Sequence, residues 1–475
     1  MGILRNSVRN TTASLLVLLA VSAGEDRPAS RPLVNSEMEA WLEALSAREF
    51  ASRQRATRKL LAAGTAAIPA LETAASSLNS ESRARAVSIL EELALSTETQ
   101  IWKPAQAALR RLASSSSSTA ARRAASVLSE LGDKQTRRMS RAIRRQGGRV
   151  YTLQNQRLRI DLNEDWVGGN RGLRALPRLP GVAFVSVERS NIGDAGLVWL
   201  SSMQSIQRLF LGRSRITGTG LVHLSSMTGL QHLSLQHQPI RDSDLKQLSR
   251  LARLESLGLD DTLITDAGLA HLRLPELREL WLDRTTVTAA GLSELLPLTK
   301  LETLHLVGTR VRGEGIGTLQ QLPALTTLWL RDTPVDGPTM VALARCVRLT
   351  KLGLDRTSVR DDDLAQLAPL EQLNTLWLSQ TGIGDRAIAH LKPLASLQTL
   401  HLSQTTITNA GLEQLSGHSQ LNSLYINETA IDDAGIAHLA TCPLLRRIYA
   451  KATRITAQGV TQLRGKLPKC RVYLN

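Results

Sequence analysis

A chain of 475 residues with 42% apolar residues can bury a large core, yet only 3% of it is aromatic, so leucine and alanine must fill the interior. Its 58 Lys and Arg against 42 Asp and Glu leave a formal charge of +16. With three cysteines and this apolar content, a disulfide-rich scaffold, a disordered chain and a polytopic membrane protein are excluded.

Residues 1–24 read as a secretory signal peptide. Arg5 and Arg9 precede an apolar run from Ala13 to Ala23, which ends in Val21-Ser22-Ala23 before Gly24. The run is about half the ~20 residues that span a bilayer, and no cysteine follows it to carry a lipid anchor. The alternative is an uncleaved tether. Either way the remainder is expected outside the cytoplasm: periplasmic, on the cell surface or secreted. Its charge is about +14 once Arg5 and Arg9 leave.

A linker over 25–33, with Pro28 and Pro32, leads into an expected helical segment over 34–147. Glycine becomes rare there and the apolar spacing turns helical. Trp41, Leu42, Leu45 and Phe50 predict one short face; Ala56, Leu60 and Leu61, then Ile68 and Leu71, predict a pair broken at Gly64 and Pro69. Val87, Leu90 and Leu93, then Ala108, Leu109 and Leu112, continue the pattern, with polar breaks at Asn79-Ser80 and Ser114–Thr119. The stretch from Arg55 to Gly64, followed by Ala67-Ile68-Pro69-Ala70-Leu71, resembles a HEAT-type helical repeat. Between Lys103 and Arg149 lie twelve Lys or Arg against Glu130 and Asp133. That run is either a solvated helix face or a contact for an anionic surface. No aromatics interleave it, and export argues against a nucleic-acid partner.

From residue 148 to 475 one pattern repeats. Leu230-Gln-His-Leu233-Ser-Leu235 recurs at Leu254–Leu259, Leu301–Leu306, Leu325–Leu330 and Leu397–Leu402, in steps of 24 residues with one of 23 at Leu277–Leu282. Val182-Val185-Val187 and Leu445-Ile448-Ala450 keep the register, with Ile160-Leu162 and Val472-Leu474 as first and last turns. A threonine column follows (Thr262, Thr285, Thr309, Thr333, Thr357, Thr381, Thr405, Thr429, Thr453), then a buried Ile or Val, then helix starts such as Asp266-Ala-Gly-Leu269, where Asp reads as the N-cap. This resembles the leucine-rich repeat proteins, in particular the Ala-Gly-Leu type of cysteine-containing, F-box-associated repeats and exported bacterial members. The resemblance implies an α/β solenoid, a horseshoe of about fourteen 24-residue turns, behind the all-α segment. Threonine stands where the family commonly has Asn or Cys, and no F-box precedes the repeats. In that register Cys346 and Cys442 substitute for core leucines four turns apart, ~19 Å at a strand spacing of ~4.8 Å, too far for a disulfide. Cys470 enters the last turn and is expected to be more exposed.

In such a solenoid the residues between the strand leucines face outward on the concave side. The central column reads Phe210, Ser234, Gly258, Trp281, His305, Trp329, Gly353, Trp377, His401, Tyr425, Tyr449, and it takes six of the chain's fourteen aromatics. Rings that packing does not require mark recognition. Trp281, Trp329 and Trp377 sit on alternate turns, an expected pitch of ~9.6 Å. Asp260, Asp283, Arg331 and Asp355 are candidates for a polar rim. No metal-ligand spacing accompanies the nine histidines, and no nucleophile motif or phosphate loop is present. The sequence therefore implies no catalytic residue and no cofactor. A protein partner is the first expectation, and an envelope or extracellular polysaccharide on the same column is the alternative. A third reading is a scaffold attached by its basic segment, residues 103–149, to an anionic surface.

Overall fold

The computed structural model describes residues 35–76, 79–96, 98–115 and 119–474, so the expected signal peptide and linker lie outside the described residues. The chain divides into two compact units, Met1–Gln135 and Thr136–Asn475.

The first unit is helical, with α1 (Asn35–Glu43), α2 (Phe50–Ala63), α3 (Ile68–Ala75), α4 (Ser80–Ala94), α5 (Thr99–Ser114) and the start of α6 (Thr119–Arg145). Each start follows from local chemistry. Asn79 caps α4 by accepting from the backbone N–H groups of Glu81 and Ser82 at 3.0 and 3.3 Å. Pro69 sits in the first turn of α3, where its missing N–H costs nothing. The pair α2–α3 turns at Gly64 (φ 56°), a left-handed position that suits glycine. Leu45, Leu60, Leu71, Leu90 and Leu109 form the core. Phe50 departs from the expected apolar face. It opens α2, is 62% exposed, and carries the Arg53 guanidinium 5.7 Å above its ring.

The second unit is one 15-stranded sheet with strands in chain order. The first, Arg149–Thr152, pairs antiparallel with Leu158–Asp161. Every later pairing is parallel, so fourteen strands run from Leu158–Asp161 to Arg471–Tyr473, as the repeat count predicts. Each three-residue strand carries one inward aliphatic residue, leucine in all but the last two, which have Ile448 and Val472, and the short α or 3-10 segment of each turn closes the core from behind. Met139 and Ile143, near the end of α6, are buried in this same core. All three cysteines are free and buried. Cys470 is 2% exposed, contrary to the sequence expectation, and belongs to the same buried core as Leu463 and Leu467. Burial pushes the thiols of Cys346 and Cys470 up to about 11.

Two polar columns hold the turns, one within each turn and one between turns. The threonine hydroxyls donate within their own turn, Thr285 to the Leu282 carbonyl and Thr309 to Leu306, both at 2.6 Å. One short hydroxyl reaches three residues back but not across to the next turn. The bridge between turns is the aspartate of Asp-Ala-Gly-Leu. The N-cap is the preceding residue, Thr265 or Thr408, whose side chain accepts from the helix backbone. The Asp carboxylate instead receives the next turn's N-cap. Asp266 accepts from Thr288 N–H at 2.8 Å and from Thr288 Oγ1 at 2.6 Å, and Asp385 does the same for Thr408 at 2.7 and 2.6 Å. This bridge explains the glycine of the motif, since a Cβ at Gly291 would run into the Asp266 carboxylate. Asp266→Ala removes two charge-assisted bonds at a half-buried site and is expected to cost about 2 kcal/mol. Urea unfolding checks it, and an unchanged midpoint would show that the bridge contributes nothing.

Candidate functional site

Strand alternation sends one side chain of each leucine pair into the core and its neighbour to the open face of the sheet. The pairing register confirms the column residue by residue: Phe210 beside Ser234, Gly258 beside Trp281, His305 beside Trp329, Trp377 beside His401, and Tyr425 beside Tyr449. It also adds Tyr473, paired with Tyr449. The outward position of Tyr473 was already implied by Val472 and Leu474 facing inward.

The rings do not stand apart at the strand pitch. Ring-centroid separations run 5.3 Å from Trp281 to His305, 5.7 Å to Trp329, 4.3 Å to Trp377 and 5.2 Å to His401. They continue at 3.9 Å to Tyr425, 4.3 Å to Tyr449 and 4.7 Å to Tyr473. Trp329 and Trp377 meet although a whole turn separates them, because that turn offers Gly353. Trp329 leans over it, and a Cβ there would lie 2.5 Å from Trp329 Cε3. His305 fills the other gap between tryptophans. The expected ~9.6 Å pitch is thereby replaced by an unbroken ladder whose interior rings pack against a ring on both sides, stacked at most contacts and tilted by 31° at Trp281–His305 and 47° at Trp329–Trp377. Phe210 stands apart from it and stacks on Phe184 at 5.0 Å, with the Arg159 guanidinium 4.2 Å from the Phe184 ring.

Burial within the ladder shifts its titrating members. His305 and His401 are both pushed down to about 4, so both are neutral at pH 7. Burial raises the Tyr425 phenol, and the neighbouring Tyr449 hydroxyl adds to the effect.

The residues proposed as a rim are partly built into the wall. Asp260 accepts from Asp283 N–H at 3.0 Å, Asp283 from Val307 N–H at 2.8 Å, and Asp355 from Ser379 N–H at 2.9 Å. In each case one carboxylate oxygen holds the next strand's edge. Burial nevertheless raises all three, Asp283 to about 6. Arg331 remains half exposed, 3.4 Å from the Asp332 carboxylate. One residue further out, polar contacts run in a chain: Arg213 donates to His237 Nε2, His237 Nδ1 lies 3.2 Å from the Asp261 carboxylate, and Arg284 pairs with Asp261. Among the described residues no group of three or more His, Cys, Asp or Glu is placed to hold a metal ion. No helix among them is long and apolar enough to cross a membrane.

No protein-family model matches the chain, and no curated protein matches it. Solved structures do resemble it. An internalin (InlF) from Listeria monocytogenes is 23% identical over 63% of this chain and 82% of its own, with a TM-score of 0.48. An LRR protein from Leptospira interrogans is 17% identical over 64% and 87%, with a TM-score of 0.44. A plant peptide hormone receptor solved in complex with RGF2 is 14% identical over 64% and 49%, with a TM-score of 0.40. By its own 24-residue period, its single sheet of parallel strands in chain order and its inward leucine column, the second unit of this chain is a leucine-rich repeat solenoid, with an all-helical segment before it in the sequence.

Proposed function

We propose that this chain is a non-enzymatic exported recognition protein that binds an extended segment of a protein partner along the ring ladder from Trp281 to Tyr473. The observation that carries the reading is the ladder itself. In a chain that is 3% aromatic, the rings concentrate on the one sheet face that the leucine core does not use. A peptide fits better than a polysaccharide. Sugars stack on open ring faces, and the interior rings here are packed between neighbouring rings. What remains outward is a row of ring edges with indole N–H, imidazole and phenol groups, suited to the amides of an extended chain.

The test uses the protein without residues 1–24, immobilised beside its Trp329→Ala/Trp377→Ala variant and exposed to envelope and medium extracts of the source cell. Circular dichroism first establishes that the variant folds. The expected result is a protease-sensitive partner whose capture falls by a factor of about 100, as when two central aromatic anchors are lost. Equal capture by both proteins overturns the reading. A second surface enters only through the exposed Arg137, Arg141 and Arg145, spaced along one side of α6. Capture that survives the ladder variant but disappears with salt would assign the contact to that anionic-surface site instead.

A further inference from the structure

Resting on that reading, the place where the ladder stops identifies what the partner presents first. Between Phe210 and Trp281 the central column holds only Ser234 and Gly258, side by side on adjacent strands. Three strand spacings, ~14 Å, separate the two aromatic strands. Both walls lean away from this notch, Phe210 onto Phe184 and Trp281 onto His305. His305, Trp329, Trp377, His401, Tyr425 and Tyr449 each pack against two rings, whereas among the described residues Trp281 packs against one, His305, tilted 31° to it. The ladder thus ends in a ring whose second face looks along the column toward Gly258.

The floor and rim of the notch are polar in a specific way. Ser234 Oγ is buried with no hydrogen-bond partner among the described residues. Gln236 lies across Gly258, where a Cβ would meet its amide nitrogen at 3.3 Å, and that amide donates to the Asp260 carboxylate. Asp283 stands one strand on from Asp260, two residues beyond Trp281. The other glycine of the column, Gly353, is covered by an indole from within the chain. Gly258 is covered only by a flexible side chain whose N–H group satisfies an acid.

We infer that this notch is a receptor site for an arginine side chain of the protein partner, which displaces Gln236. The guanidinium lies over Gly258 and stacks on the open face of Trp281. Its N–H groups take the place of the Gln236 amide on Asp260 and reach Asp283, while Ser234 Oγ accepts the donor it now lacks. A guanidinium is planar, stacks on indole and carries a fork of donors, which matches a ring wall beside two carboxylates. A lysine ammonium carries the charge without the plane, and a neutral aromatic carries the plane without the donors. The carboxyl of Asp283 is raised by burial and by Asp260; the nearby Arg284 lowers it but spends its hydrogen bonds on Asp261, so an arginine of the partner supplies the direct donor.

The test titrates the full chain with three blocked tripeptides, acetyl-Gly-Arg-Gly-amide and its Lys and Trp counterparts, by ligand-observed NMR. The arginine peptide is expected to bind about tenfold more tightly than either of the others. Gln236→Ala, which opens the notch, tightens it about threefold, and Ser234→Ala weakens it about threefold while raising Tm, because a buried orphan hydroxyl is removed. Gly258→Trp, which fills the notch against Gln236 alone, abolishes it. No arginine binding by the wild type, a preference for the Trp peptide, or arginine binding that survives Gly258→Trp overturns the inference. Loss of the extract partner in the Trp329/Trp377 variant, with full retention in Gly258→Trp, would remove the notch and leave the ladder reading standing.

Discussion

Gly353→Val is expected to destabilise the solenoid by about 3 kcal/mol and to abolish the contact between Trp329 and Trp377, although valine is the better strand former. The Trp329 ring rests where the new Cβ would be, 2.5 Å from Cε3. It cannot retreat toward His305, which already stacks 5.7 Å from it. It must swing outward and expose its faces, so the tilted contact with Trp377, 4.3 Å between centroids, is lost with the burial of both rings. Gly258→Ala is the control on the same column. Its Cβ meets only the Gln236 side chain, at 3.3 Å and beyond. That side chain has room to move, and the change in stability is expected within about 0.5 kcal/mol. Urea midpoints read the energies, and the exciton signal of the coupled indoles in circular dichroism reads the contact. Equal effects at the two glycines would mean that the rings do not form a continuous ladder across Gly353.

The contrast between those glycines marks what is legible in the sequence. Periodicity places every inward leucine correctly, because a 24-residue register held over so many copies leaves no alternative face for them. It places the ring column correctly for the same reason, since outward positions follow from inward ones. It cannot give side-chain lean. Trp281 and Trp329 look equivalent in the repeat, yet one rests beside His305 and the other over Gly353, and only their three-dimensional neighbours decide that. The same limit hides the role of Asp266. Read alone it resembles an N-cap, and its true partner, Thr288, lies one turn away. The antiparallel strand Arg149–Thr152 carries no repeat signal, so nothing in the periodicity announces it. Asp260 and Asp283 were visible as outward acids, but that each spends an oxygen on the next strand's N–H depends on the tight spacing of the sheet.

The buried imidazoles set the second large expectation, acid lability of the ladder. His305 and His401 are held at about 4 against an ordinary 6.5 because burial among rings disfavours the charged form. The unfolded chain therefore takes up two protons as the pH falls through 6.5, while the folded chain does not until about 4. Stability must decline across that window. Asp283 works in the opposite direction. Raised from 3.8 to about 6, it keeps its proton longer in the folded state, so its contribution improves as the pH falls through the same range. The two terms separate in a His305→Phe/His401→Phe variant, which keeps both rings and leaves Asp283 in place. A full shift of this size is worth about 3 kcal/mol per group, and partial exposure of the imidazoles screens it, so the pair is expected to contribute about 3 kcal/mol. Between pH 7 and pH 4 the wild type should lose that much relative to the variant in urea midpoint stability. Parallel pH profiles would mean that the imidazoles protonate freely in the folded state. They would then be open to solvent, and the ladder would be too loose at His305 and His401 to act as one continuous surface.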